Sequence, residues 1–263
     1  MNQVSKEVRW QLLTREDVRA AALEQAVVVQ PMGSIEQHGP HLPVDTDSAS
    51  SEAIALKAAR LAPFPVLIAP TVWWGVSDYW MRFGGTITVR HESLVDLLAD
   101  IVAAVGRNGF RRVLLLNGHA GNSSVMYTVG MRFLTGDIKV VGLNYWMLVS
   151  DFLRDNCRSD QGMIGHAGEV ETSLQLALRP EVVQAVLIPQ VGTDLPRSVF
   201  GNRWREATIT PPHPEAESPT GVYGRPAAAR REFGLEILEA AAGQLVEFLD
   251  AFRRMPLDDE VGR

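Results

Sequence analysis

The sequence predicts an α/β fold built on a mostly parallel sheet. Three observations lead there. Short apolar runs rich in β-branched residues recur along the chain, and such runs mark strands buried on both faces. Segments of helical period alternate with them. The polar motifs fall where strands end or helices begin, which is where open α/β sheets bind ligands. No internal repeat or low-complexity tract is visible. No linker divides the 263 residues, so one domain over 1–263 is expected.

The elements follow in order. Ala26 to Gln30 carries Val27-Val28-Val29 and reads as a buried strand. Ser51 to Leu61 is rich in Ala and Leu and reads as a helix ended by Pro63 and Pro65. Val66 to Ala69 is a short strand. A loop with Trp73, Trp74, Gly75, Trp80, Gly84 and Gly85 leads to an expected strand over Thr86 to Val89. Ser93 is placed to cap a helix whose Leu94, Leu97, Leu98, Ile101, Val102 and Val105 recur at helical spacing. Val113 to Leu116 is a buried strand running into Asn117-Gly118-His119. A helix over Ser124 to Leu134 and a strand over Ile138 to Leu143 come next. Glu169 to Leu178 is helical up to Pro180. Pro189 to Tyr223, rich in Pro, Gly and Thr, reads as extended loop. Ala227 to Phe252 is a long terminal helix, and Pro256 to Arg263 is a polar tail expected to fray.

Composition removes several function classes. With 25 Lys+Arg against 31 Asp+Glu, the formal net charge of −6 argues against a generic nucleic-acid binder. The single cysteine, Cys157, cannot form an internal bridge. No apolar run is long enough for a membrane helix, and the polar start Met1 to Glu7 lacks a signal-peptide core. A cytoplasmic protein is therefore expected. There is no Gly-x-Ser-x-Gly elbow, no phosphate loop and no Cys-x-x-Cys pair. The Arg230-Arg231 cluster, with Glu232 and Glu236, reads as a solvated helix face.

Four of the six histidines lie in three short motifs. The first runs from Gly33 to Pro43 and continues to Asp45-Thr46-Asp47. Glu36 and His38 are two apart, so an extended backbone turns both to one side. Carboxylates with an imidazole suit Zn²⁺ or Mn²⁺. The plain alternative is a polar turn whose aspartates cap the next helix. The second motif, Asn117 to Asn122, follows a strand directly, so His119 is placed to reach the same crevice. Asn117 and Asn122 can brace that turn through side-chain hydrogen bonds. The third motif is His166 to Ser173. Glu169 and Glu171 fall in the first helical turn, where the dipole favours carboxylates anyway. The functional reading makes one of them a metal ligand and His166 a proton carrier.

Taken together, these motifs resemble the creatininase family. The resemblance rests on Gly33 to Pro43 with Thr46-Asp47, on Phe83 to Thr88, on Asn117 to Asn122 and on His166 to Ser173, with an echo at Gly221 to Gly224. It implies a three-layer α/β/α sandwich and two divalent ions, Zn²⁺ or Mn²⁺ with Fe²⁺ also tolerated. Carried over, Glu36, Asp47 and His119 would hold one ion. His38 would hold the other, with Asp47 bridging. Creatininase proper has a glutamate where this chain has Gly121, so Glu171 is assigned to the second ion, with Glu169 as its rival.

The chemistry implied is attack on a carbonyl by hydroxide shared between the two ions. His166 would move the proton, with Glu169 as the alternative. His41 would orient a ligand from behind, as Asn117 and Asn122 would brace theirs. Trp73, Trp74, Trp80 and Trp146 would wall the substrate. The expected substrate is a small polar molecule with a cyclic amide or another non-peptide C–N bond. C–C or lactone hydrolysis, deformylation, peptide trimming and a non-catalytic metal-binding scaffold stand as alternatives. A homo-oligomer, often a hexamer in this family, is implied, with no nucleic-acid or membrane partner.

Overall fold

The computed structural model describes residues 7–159, 164–190, 192–194 and 218–257. Its sheet has four strands: β1 (Val27–Met32), β2 (Val66–Ile68), β3 (Arg112–Asn117) and β4 (Lys139–Asn144). The order is β2-β1-β3-β4 and every pairing is parallel. Alternation within the strands supplies two cores. Val27, Val29, Leu114 and Leu116 face one way; Val28, Val113 and Leu115 face the other. Each face is covered by helices, giving the α/β/α sandwich.

On the first face lie α2 (Thr46–Leu61), α6 (Glu169–Leu178) and α7 (Arg231–Arg254). The face of α7 buries Phe233, Ile237, Ala241, Leu245, Leu249 and Phe252, a helical-period stripe. Leu245→Ala should lower the unfolding free energy by about 2–5 kcal/mol. An unchanged urea midpoint would contradict that placement. On the second face lie α1 (Arg15–Leu23), α3 (His91–Arg107) and α4 (Ser123–Arg132). A short α5 (Ser150–Asn156) follows β4. Among the described residues no helix is long and apolar enough to cross a membrane.

Several expected boundaries move. Helix α1 was not expected, although Thr14 and Asp17 form a reciprocal capping box. Helix α2 begins at Thr46 rather than Ser51, which places Asp47 in its first turn. Helix α3 begins at His91, before Ser93. Thr86 to Val89 forms no strand. Its amides are spent on two separate loops, Ile87 N–H to the Ile35 carbonyl and Val89 N–H to the Gly75 carbonyl, so it straps the first motif to the loop at Gly75. Helix α7 starts at Arg231, because Pro226–Ala228 forms a separate 3₁₀ turn and Arg230 is extended. Of the tail expected to fray, 258–263 lie outside the described residues, and Leu257 is buried. Most of the loop expected before Tyr223 also lies outside them.

Candidate metal centre

The strand order reverses direction between β1 and β3, so the crevice beyond their C-terminal ends is the natural ligand site of this sheet. The first motif leaves β1 at Met32 and the second leaves β3 at Asn117, which are register partners. The Gly118 amide donates to the Met32 carbonyl at 2.8 Å, clasping the two loops. Both loops press on the start of α2. A Cβ on Gly33 would collide with the Ser48 backbone, and one on Gly118 with the Asp47 carbonyl. Behind them, the Asn122 amide donates to the Gly33 carbonyl at 2.9 Å, while its Oδ1 accepts from Val76 N–H at 3.1 Å. Asn117 Oδ1 accepts from His119 N–H at 3.1 Å.

These contacts bring together the residues expected as metal ligands. His119 Nδ1 lies 3.2 Å from Glu36 Oε2 and 3.1 Å from Asp47 Oδ2. His38 Nε2 lies 3.1 Å from Asp47 Oδ1 and 3.8 Å from Glu171 Oε2. Three groups result, Glu36–Asp47–His119, His38–Asp47–Glu171 and Glu36–His38–His166, and Asp47 belongs to the first two. All five side chains are buried.

The donor set fits divalent metal ions on three counts. Ligand atoms around one tetrahedral ion, at 2.0–2.2 Å from it, stand about 3.3 Å apart, close to the spacings here. Each histidine can have its tautomer set by a backbone carbonyl on the far side of its ring. His38 Nδ1–H can donate to the Glu36 carbonyl at 3.1 Å, and His119 Nε2–H to the Val76 carbonyl at 3.0 Å. That leaves a lone pair of each imidazole aimed at carboxylate oxygens. Such neighbours repel unless a proton or a cation lies between them. Finally, His38 Nε2 and Asp47 Oδ2 are buried without a hydrogen-bond partner.

Electrostatics agree. Burial opposes charge on His38, but Asp47 and Glu171 outweigh it and hold its pKa well above the ordinary value. His119 is likewise opposed by burial and raised by Glu36, Tyr79 and Asp47. Burial would raise Asp47, but the two histidines hold it below the usual carboxylate range. Burial pushes Glu171 up. Among the described residues, the ion-pair partners of these three carboxylates are histidines alone. Buried carboxylates without fixed cations are costly, and bound cations would offset that cost.

His166 sits at the rim of the cluster. Its Nε2 is 2.8 Å from the Gln37 carbonyl and its Nδ1 is 3.5 Å from Glu36 Oε1. Burial and the neighbouring His38 push its pKa well below the ordinary value. Glu171 is fixed by the Ala167 amide, which Ala167 presents from a left-handed backbone at φ 53°.

Glu169 faces elsewhere, which does not fit its expected part as proton carrier or rival ligand. Its oxygens accept from the Arg158 amide at 2.9 Å and the Ser159 amide at 2.8 Å, with Arg230 at 3.5 Å. Arg230 is thereby drawn off the solvated face expected for it. Cys157 is close by, and burial with the Glu169 carboxylate pushes its thiol up to about 11. At pH 8 its thiolate fraction is then roughly 10⁻³, against about a quarter for a free thiol. By thiolate fraction alone, alkylation by iodoacetamide at pH 8 should be roughly 250-fold slower than for free cysteine; an equal rate would contradict this environment.

The tryptophans divide. Trp80 is buried and stacks on His166. Trp146 is partly buried, packs against the core and meets Tyr145 edge-on. Trp73 and Trp74 lie on the loop before Gly75, and among the described residues neither ring stacks on a cluster residue. His41 reaches no ligand directly: its Nε2 meets Thr172 Oγ1 at 2.9 Å, and burial and His38 lower its pKa to about 4.

Sequence reasoning missed four contributors. Ser77 Oγ donates to Glu36 Oε2 at 2.6 Å. Tyr79 OH lies 3.3 Å from His119 Nε2, and burial lifts its pKa to about 12. Gln37 meets His166, and Thr172 meets His41. The only signal for Ser77 and Tyr79 was their place in the loop that already carried the tryptophans.

An α/β/α sandwich with a buried carboxylate–histidine cluster at its strand switch defines a candidate metallohydrolase. Comparison with known proteins gives the particular family. The creatininase family, described as creatinine amidohydrolase, matches residues 11–249. The chain belongs to the creatininase family. It is 33% identical over 230 residues to the mycofactocin precursor peptide peptidase of Mycobacterium tuberculosis, covering 83% of this chain and 82% of that one. It is 29% identical over 245 residues to creatinine amidohydrolase of Pseudomonas putida, covering 87% and 90%. A solved manganese form of creatininase superposes with a TM-score of 0.79 at 27% identity, covering 94% of this chain and 99% of that one.

Proposed function

We propose that this protein is a two-metal hydrolase that cleaves an amide C–N bond in a small polar molecule, a cyclic amide or another non-peptide amide. The observation that carries the reading is Asp47, whose two oxygens each lie 3.1 Å from a different histidine, the geometry of a bridging carboxylate. Glu36, Asp47 and His119 would hold one ion; His38, Asp47 and Glu171 would hold the other. Zn²⁺, Mn²⁺ and Fe²⁺ suit such donors, and solved creatininases include manganese and zinc forms. Ions bound there would supply Lewis acidity, polarising a carbonyl and making water more acidic.

The protein's own groups do the rest. In the tautomer whose Nε2–H donates to the Gln37 carbonyl, His166 would have Nδ1, which faces Glu36, available to take up a proton and return it to the leaving nitrogen. The Asn117 and Asn122 network keeps the His119 loop in register. The peptide bond is a second substrate reading, favoured by the 33% identical relative named as a peptidase. We also propose a homo-oligomer: Tyr127, Met131 and Leu134 are exposed on or just beyond α4, beside the open edge of β4.

Metal analysis of Glu36→Ala and His119→Ala tests the site; full metal occupancy in both would sink it. Lactams, formamides, short peptides and cyclic diketones test the bond. A C–C product with no amide turnover would overturn the C–N assignment. Metal bound at full stoichiometry with no hydrolysis on any class would favour a scaffold.

A further inference from the structure

We propose that Trp80 is the positioning residue of His166, setting the aim of its Nδ1, and does not line the substrate. This rests on the proposed hydrolase reading. Two rings pack on the His166 imidazole. Trp80 stacks on it with centroids 4.0 Å apart and planes 21° apart. His38 lies 4.3 Å away at 36°, and among the described residues no ring contact joins Trp80 to His38, so the two flank the imidazole from different sides. The edge at Nε2 is pinned by the Gln37 carbonyl, and the His166 backbone is paired in both directions with Tyr223. One ring nitrogen, Nδ1, remains, and it faces Glu36.

A ring held at one edge can still swing about that edge. The indole removes this freedom, because rotation out of the stack would drive the imidazole into Trp80 or His38. Trp80 is itself fixed. It is 4% exposed, with Phe83 edge-on at 5.7 Å and Tyr223 at 6.2 Å. It stands in a 3₁₀ turn over Asp78–Phe83. The preceding residues of that chain segment brace the metal side, Ser77 at Glu36 and Tyr79 at His119. One turn therefore sets the spacing between the metal cluster and the proton-carrying imidazole. A misplacement of about 1 Å at such a distance costs on the order of 100-fold in rate.

The test compares Trp80→Leu and Trp80→Phe, each alone and with His166→Gln, in metal-loaded protein. On the best amide substrate, Trp80→Leu should lower kcat roughly 100-fold, with KM and metal content unchanged. Trp80→Phe, which keeps a stacking ring, should recover most of the loss. In the His166→Gln background, Trp80→Leu should cost nothing further, since the two act as one unit. A further loss in that background, or loss of metal, would overturn the proposal. A second readout needs no substrate. In protein carrying ¹³C-histidine, the His166 Hε1 signal should sit upfield and move downfield in Trp80→Leu. A signal that does not move overturns the proposal even if no amide is ever cleaved, whereas a shift with no amide turnover counts against the hydrolase reading alone.

Discussion

Asp47→Asn should strip both ions at once. Its two carboxylate oxygens serve different histidines, so the substitution weakens both ligand groups while leaving shape and volume almost unchanged. Metal content should fall from two equivalents to below one. Changes behind the ligands at such sites cost about 10–100-fold, so loss of a shared inner ligand should cost at least about 100-fold in turnover. His119→Ala and Glu171→Gln each touch one group and should each retain one equivalent. The comparison is made by metal analysis after dialysis. Two retained equivalents in Asp47→Asn would show that the carboxylate does not bridge.

Gly121→Glu should damage the site, although it would restore the glutamate that the family resemblance places there in creatininase proper. A Cβ at Gly121 would collide with the Val76 carbonyl, would lie 2.5 Å from His119 Nε2 and would crowd the Tyr79 hydroxyl at 2.7 Å. Those groups are the ones that fix the His119 ring. Overpacking against them should cost about 1–3 kcal/mol and displace Nδ1 from Asp47. Thermal unfolding and metal content check both effects. Unchanged stability with higher metal affinity would mean that the loop adapts and that Glu171 is not the substitute ligand.

Much of this was legible in the sequence because its signals are local. Val27-Val28-Val29 and Val113 to Leu116 announced the two central strands, and the polar motifs directly after them announced the ligands. The rest depended on docking. Glu169 and Glu171 stand two apart in one helical turn and so face different directions. Only the packing of α6 against Arg230 and the Arg158–Ser159 amides decides which enters the cluster. The start of α2 was hidden for a similar reason. Thr46, Ser48, Ser50 and Ser51 are small, polar and weak helix formers, yet all are buried under the loops they support. The stack of Trp80 on His166 was hidden because nothing in the neighbours of Trp80 reveals an imidazole that arrives much later in the chain.

The proposed ligands come from Glu36 and His38 after β1, Asp47 on α2, His119 after β3 and Glu171 on α6. No single stretch of chain carries a full set for either ion. The unfolded polypeptide is therefore a poor chelator, and an ion held by these residues would bind almost only the assembled state. Folding and metal uptake would then be linked equilibria. An ion present at a hundred times its dissociation constant would deepen the native well by roughly 2.7 kcal/mol. A loaded cluster would then also act as a staple, adding a cross-link to two loops and two helices already joined by the Gly118 clasp and by Gln175 to Ser50.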